Sequence, residues 1–331
     1  MKSISTRLYH IILPVLLLTA VTAGAFPLET YTTQSVLASG RWMKVAVKSS
    51  GMHFIPASML RSWGFNDISK VSIHGYGGAQ LPEHLTLATY VDDLPEVPAK
   101  RTSAGIYFYA AGPETWTLQR QYYTQTLNAY STEGFYYVTQ TDGQPLDLTD
   151  EGEYVAGNAP ATRFTERLFH EVDQVSISES GQAMYGEDFR YTRSRSFRFD
   201  IPDCDEGRPG WISITFATAS TSQTRVEISI DGQRTERDLT IGIKNDNYGA
   251  QATYSGSFNP VGNSTTVSLN YVSSGIVEAA HLDKITLNYT RRIKLHNGRL
   301  SFESSSTTVG LEGGDANTHV WDVTDPSRPF R

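Results

Sequence analysis

The chain has 331 residues, enough for two domains of ordinary size. Its 28 basic against 35 acidic residues argue against the basic face that nucleic acid demands, and a single cysteine, Cys204, excludes an intramolecular disulfide framework. With 18 Tyr, 14 Phe and 27 Gly but only 19% charged residues, the composition favours strands and turns over helices.

Lys2 and Arg7 precede an apolar run from Ile11 to Val21, and small residues follow at Ala23 and Ala25. This is the pattern of a secretory signal peptide over residues 1–25, with cleavage expected after Ala25. The apolar run is shorter than the roughly 20 residues of a membrane span and contains Pro14. Every later hydrophobic run is short and broken by charge or glycine, so no transmembrane span is expected in the mature chain. Removing Lys2 and Arg7 makes that chain more acidic than the formal net charge of −7 on the precursor.

From Arg41 to Val47 residue types alternate, Ser49, Ser50 and Gly51 turn the chain, and Met52 to Ile55 resumes the pattern, which predicts a β-hairpin. Pro56 opens a short helix in which Met59, Leu60 and Trp63 share a face, ended by Gly64. Val71 to His74 reads as a strand, Gly75 to Glu83 as a turn, and Asp92 to Pro98 as an exposed acidic loop. Ile106 to Ala110 and Phe135 to Thr139 are two further strands. The pattern then lapses between Thr141 and Pro160 into Gly, Pro and acid. Residues 26–150 are thus expected to form an N-terminal β-rich domain and 151–163 a linker.

Strand patterns return at Phe164 to Val172, Arg193 to Ile201, Trp211 to Thr218, Arg225 to Ile230, Ala252 to Phe258, Thr265 to Val272, Leu282 to Ile293 and Leu300 to Glu303. Turn pairs such as Asp231-Gly232 and Asn297-Gly298 punctuate them. Several short strands between such turns predict a β-sandwich, jelly-roll-like, over 164–305. One strand shows why: Phe197, Phe199 and Ile201 fall on one face while Arg198 and Asp200 fall on the other. The fold class expected is mainly β, two β-rich domains with one short helix in the first.

Taken in order, SVLASGRWMKVAVKSSGMHFIPASMLRSWGF, VSIHGYGGAQLPE, DDLPEVP, GIYFYAAGPETW and NAYSTEGFYYVT resemble successive blocks at the start of type IX secretion system sortases of the gingipain cysteine peptidase family. MYGEDFRYTRSRSFRFDIP, HLDKITLNYTRRI and VWDVTDPSRP resemble the sandwich that precedes the peptidase domain in that family. The resemblance implies a cell-surface enzyme that removes C-terminal sorting signals from secreted cargo. Its catalytic Cys-His dyad lies in a gingipain-like domain that follows, and no position here matches that dyad. Residues 306–331 are accordingly expected to be a linker towards an absent peptidase domain. The implied role is a non-catalytic N-terminal scaffold or docking region, exported to the periplasm or the outer face of the outer membrane of a Gram-negative bacterium. Its expected partners are the peptidase domain, cargo C-terminal signal domains and an outer-membrane secretion component. The alternative, from another class, is a self-standing carbohydrate-binding or adhesin-like surface module.

No catalytic, cofactor-binding or metal-binding residue is assigned from the sequence. Cys204 sits among Asp203, Asp205 and Glu206, which disfavour a thiolate. No G-x-S-x-G elbow occurs. His53, His74 and His281 read as satisfied or solvent-facing strand residues, and Gly75 to Gly78 lacks the spacing of a phosphate cradle. Acidic stretches at Asp92-Asp93, Asp147 to Glu153 and Asn245 to Asn247 offer oxygen ligands but not EF-hand spacing. The sequons at Asn263 and Asn288 read as ordinary turn and strand residues. Aromatics crowd Tyr122-Tyr123, Tyr130 and Phe135-Tyr136-Tyr137; most are expected to pack, and a subset to dock a partner.

Overall fold

The structure is a computed structural model, and it describes residues 31–325 apart from 88, 149–158, 178, 180, 182, 246–247 and 307. The signal peptide with Ala23 and Ala25, and most of the expected interdomain linker, lie outside the described residues. The described residues fall into two compact units, 31–40 with 81–95, and 41–80 with 96–325. In the smaller unit a 3-10 turn, Val36–Ala38, is held by the Asp93 carboxylate, which accepts from Val36 N at 2.6 Å and from the Ser35 hydroxyl at 3.1 Å.

The larger unit is built almost wholly of antiparallel strands. Its first part contains β1 (Met43–Val47), β2 (Gly51–Pro56), α1 (Ala57–Ser62), β3 (Val71–His74), β4 (Ala99–Thr102), β5 (Gly105–Ala110), β6 (Glu114–Gln119), β7 (Tyr122–Leu127) and β8 (Gly134–Gln140). These make two three-stranded sheets, β1-β8-β3 and β2-β5-β4, and the separate hairpin β6-β7. The two sheets and α1 share one core in which Val47, Ile55, Leu60, Ile73, Phe108 and Val138 meet.

The predicted hairpin over Arg41 to Ile55 is corrected. β1 and β2 are consecutive, yet β1 pairs with β8 and β2 with β5. Alternation and a turn signal specify two strands and a reversal, but both strands bury residues of the same period, so the chain can cross between sheets instead of pairing. Helix α1 forms as expected, with Pro56 as N-cap and Gly64 at φ +86° just beyond its end. Its buried side is Ala57 and Leu60, whereas Met59 is exposed. The acidic loop ends inside: Val97 is buried and its N–H donates to Ile73 O at 2.7 Å.

The second part contains β9 (Arg163–Glu171), β10 (Ser194–Asp200), β11 (Gly210–Ser220), β12 (Thr224–Ile230), β13 (Gln233–Arg234), β14 (Leu239–Ile241), β15 (Ala250–Phe258), β16 (Ser264–Val272) and β17 (Val277–Arg292). One sheet runs β15-β11-β17-β9; the other runs β10-β16-β12-β13, with β14 also on β12. Alternate residues of both enter a second core, among them Phe199, Ile212, Phe216, Ile228, Leu269 and Leu287. The predicted alternation holds in β10, where Phe199 is buried while Arg198 and Asp200 are exposed. Asp231 and Gly232 take φ +49° and +80° between β12 and β13, as a mirror-image hairpin turn requires. No strand forms over Leu300 to Glu303. No helix among the described residues is long and apolar enough to cross a membrane.

Candidate functional site

A half-buried sheet normally presents one side to water, and here the outward side of β15-β11-β17-β9 is instead covered by the β6-β7 hairpin. Register places Asn288 of β17 opposite Trp211 of β11 and Arg167 of β9, and Lys284 opposite Thr215 and Glu171. Asn288 lies in the ladder beside Tyr123 and acts as a substitute backbone. Its Oδ1 accepts from Tyr123 N at 2.7 Å, and its Nδ2 donates to Tyr123 O at 3.0 Å. Lys284 Nζ donates to Gln125 O at 2.8 Å. Two sandwich side chains thus take hold of alternate hairpin residues, Tyr123 and Gln125.

Aromatic contacts close the rest. Tyr122 stacks on Trp211 with ring centroids 4.2 Å apart and planes 6° from parallel, and Trp116 meets Phe169 edge-on at 5.8 Å. The Arg167 guanidinium lies 4.5 Å from the Tyr123 ring centroid and pairs with Glu303 at 2.5 Å. Glu303 also accepts from the Tyr123 hydroxyl at 2.6 Å. Burial alone would raise the Glu303 carboxyl, but the Tyr123 hydroxyl and Arg167 hold it below its ordinary value.

At one edge of this contact a cavity of about 220 Å³ opens between hairpin residues Thr126 and Leu127 and the sandwich residues Glu171, Asp173, Asp283 and Lys284. Burial pushes the Glu171 carboxyl up to about 7, opposed by Lys284 and reinforced by Asp283. Burial likewise raises Asp283 to about 6, against Lys284 and with Asp173, and it raises Asp173 too. Glu171 Oε2 has no hydrogen-bond partner, nor has either amide atom of Gln125, which is 2% exposed. The Gln125 amide is close enough to Glu171 to favour its charged form, without forming a well-aligned bond to it. Among the described residues, no three His, Cys, Asp or Glu side chains converge as metal ligands.

The residues singled out from sequence are scattered. Cys204 Sγ donates to Gly262 O at 3.0 Å, and its pKa is raised by burial and then by the Glu206 and Asp205 charges, the direction its neighbours suggested. His53 Nε2 lies 3.1 Å from Ser49 O, and buried His281 has Nδ1 2.8 Å from Gly186 O. His74 sits edge-on to Trp42 at 5.2 Å. Gly75, at φ +154°, packs so closely on Tyr136 that a Cβ would lie 2.6 Å from the ring, so this segment serves close approach. Asp147 pairs with Arg101 at 2.7 Å. Of the crowded aromatics, Tyr122 and Tyr123 enter the hairpin contact, Tyr136 is buried, Lys44 Nζ lies 3.5 Å from the Phe135 ring centroid, and Tyr130 is 72% exposed. Sequence reasoning missed the hairpin, the clasp by Asn288 and the acidic cavity. The available signal was Asn288 and Lys284, polar residues on one face of a strand whose other face carries Ile285, Leu287 and Tyr289.

No protein-family model matches the sequence, and neither does any curated protein. Among solved structures, dimeric latent PorU from Porphyromonas gingivalis matches with TM-score 0.72 and 27% identity, over 84% of this chain and 27% of that one. A family 35 carbohydrate-binding module from Clostridium thermocellum matches over 38% of this chain at 9% identity and TM-score 0.26. The sugar-binding C-terminal domain of EclA matches over 34% at 16% identity and TM-score 0.23. The last two likenesses are too slight to bear on function. The chain spans about a quarter of the length of the PorU chain it matches, and over most of its own length it has a PorU-like fold.

Proposed function

We propose that this chain is the non-catalytic scaffold and docking region of a type IX secretion sortase-like protein. In this reading the two β regions orient a gingipain-like cysteine peptidase domain at the cell surface and present a surface to cargo carrying C-terminal sorting signals. The observation that carries the reading is the PorU likeness, at 27% identity over 84% of this chain. The clasp supports it physically, because a module that orients another must resist flexing, and Asn288, Lys284 and Trp211 tie the hairpin to the sandwich at three points. Cys204 has the wrong chemistry for the nucleophile of a cysteine peptidase, which needs a depressed thiol pKa.

The reading includes export through the signal peptide over residues 1–25, placing the mature chain in the periplasm or on the outer face of the outer membrane. N-terminal sequencing of the chain from a fractionated Gram-negative host tests that part: a mature N-terminus at Phe26 is expected, and an intact Met1 in the cytoplasm would oppose it. The role itself is tested by mixing the purified chain with a cargo protein bearing a C-terminal sorting signal, beside a Cys204→Ala variant. Binding without cleavage in both is expected. Cleavage lost in the variant would make Cys204 a nucleophile and overturn the proposal.

A further inference from the structure

We propose that the end of the sandwich where the β14-β15 and β16-β17 loops meet is a membrane-interface contact, which sets exposed apolar side chains into the surface of a phospholipid bilayer. Ile243 and Tyr248 of the first loop, Ile276 of the second and Tyr191 ahead of β10 are between 61% and 87% exposed. Single exposed hydrophobics are ordinary, but these four share one end of the fold. Lys244 N donates to Ser220 O at 2.9 Å and Thr221 N donates to Ile276 O at 3.1 Å, so the two isoleucine-bearing loops are fastened to adjacent residues at the end of β11. Glu278 ties in the rest: its carboxylate pairs with Lys244 at 2.6 Å, and its carbonyl accepts from Arg190 at 2.8 Å. The Arg190 guanidinium in turn lies 5.4 Å from the Tyr191 ring centroid. Asn245 and Tyr248 exchange two backbone bonds, at 2.8 and 3.2 Å, which close the loop that carries Tyr248.

The loops hold these side chains out. Ile276 N also donates to Thr221 Oγ1 at 3.2 Å, and a Cβ on neighbouring Gly275 would lie 2.5 Å from Ser222 Oγ. The β16-β17 loop is thus packed tightly on the β11-β12 loop, which keeps Ile276 turned to solvent. Apolar tips on projecting loops lack the concave wall of a small-molecule site; they match a surface into which side chains sink one by one. Their chemistry fits a membrane boundary, where aliphatic tips enter the acyl region while tyrosines and cations stay at headgroup level. The cations are Arg190, Lys244 and exposed Arg193, whose carbonyl accepts from Tyr271 N at 2.8 Å at the end of β16. The acids beside them are paired, Asp188 with Arg190 and Glu278 with Lys244, each at 2.6 Å, whereas Arg193 has no ion pair among the described residues. An unpaired cation here, on a chain of formal net charge −7, suits the anionic headgroups of a phospholipid surface. The sequence of the first loop also includes Asp246, outside the described residues, so the attachment is assigned mainly to the apolar tips. Lipid attachment is independent of the scaffold role proposed above, because vesicles report it without cargo.

The test is flotation of the full mature chain with vesicles of phosphatidylethanolamine and phosphatidylglycerol at physiological salt. Flotation is expected for the parent, with at least a tenfold loss of affinity when Ile243→Ser and Ile276→Ser are combined. Val261→Ser is the matched control: Val261 is 62% exposed in the β15-β16 turn at the other end of the sandwich, and no change is expected there. All three positions are on the surface, and thermal melting confirms that the variants fold. Ile276→Trp should gain blue-shifted emission on adding vesicles, quenched by brominated lipid, relative to the parent chain; Val261→Trp should show neither. Absence of flotation, flotation unchanged in the double variant, or an equal loss in Val261→Ser would overturn the proposal. Flotation abolished by high salt would overturn the apolar contact in favour of adsorption by charge alone. Self-association without lipid, lost in the double variant, would assign the patch to a second copy of this chain and overturn the bilayer as its occupant.

Discussion

On the sheet of β15, β11, β17 and β9, outward positions carry Trp211, Asn288, Phe169 and Lys284, whereas on the sheet of β10, β16 and β12 they carry Ser194, Ser196, Ser268 and Ser229. The first set is covered by the hairpin. The second is open and satisfies itself: Ser196 meets Ser268 at 2.8 Å, Ser194 donates to Asn270 at 2.7 Å, and Asn270 donates to Glu227 at 2.8 Å. Both faces obey the same two-residue alternation, so alternation alone says which side of a strand is outward and not whether water or protein lies beyond it. Residue type decides that. Large rings and an amide aimed at a backbone mark a face that expects a partner; small hydroxyls that bond one another mark a face at rest.

Substitutions on the two faces should therefore differ sharply. The largest effect is expected for Trp211→Ala, which removes the stacked partner of Tyr122 and leaves a void under the hairpin; a loss of about 2–4 kcal/mol in urea unfolding is predicted. Asn288→Ala strands the N–H and C=O of Tyr123 in a contact that excludes water, and about 2 kcal/mol is predicted. A smaller change of opposite sign is expected for Glu171→Gln. Its carboxyl binds protons more tightly folded than unfolded, so its contribution is most favourable below the ordinary carboxylate range and declines as pH rises to about 7. Allowing for screening by the solvent that reaches it, the variant should be more stable than the parent by about 1–2 kcal/mol at pH 8, with the gain shrinking by pH 5. On the open face, Ser196→Ala should move the urea midpoint by less than about 0.5 kcal/mol equivalent. A loss there comparable to Trp211→Ala would mean that the open face also has a partner.

The longer strands of the sandwich were legible because most have one largely apolar side; Phe197, Phe199 and Ile201 needed no tertiary knowledge to be placed, whereas β13 and β14 are too short to carry a pattern. Helix α1 was legible from Pro56 and Gly64. The β6-β7 hairpin was not, because Thr115, Thr117, Thr124 and Gln125 give neither strand an apolar side, and because its reversal uses Arg120 at φ +61° where a glycine or asparagine would have signalled a turn. The error over β1 and β2 has another source. Which strand pairs with which is set by partners far along the chain, β8 for β1 and β5 for β2, while Val47 and Ile55 enter the same core, and no local pattern carries it. Asn288 was readable only as a sequon, since its function depends on Tyr123, 165 positions earlier in the chain. A cavity has no pattern at all until the two walls are brought together.

The scaffold reading requires that the hairpin and the sandwich move as one. Amide hydrogen exchange across Tyr122–Leu127, compared with β17 in the same molecule, measures this directly. The account predicts that Tyr123 N–H, bonded to Asn288, exchanges on the slow scale of the sandwich strands and becomes fast in Asn288→Ala while β17 stays protected. Rapid exchange at Tyr123 in the parent chain, with β17 protected, would show a hairpin that only visits the sheet, and would contradict it.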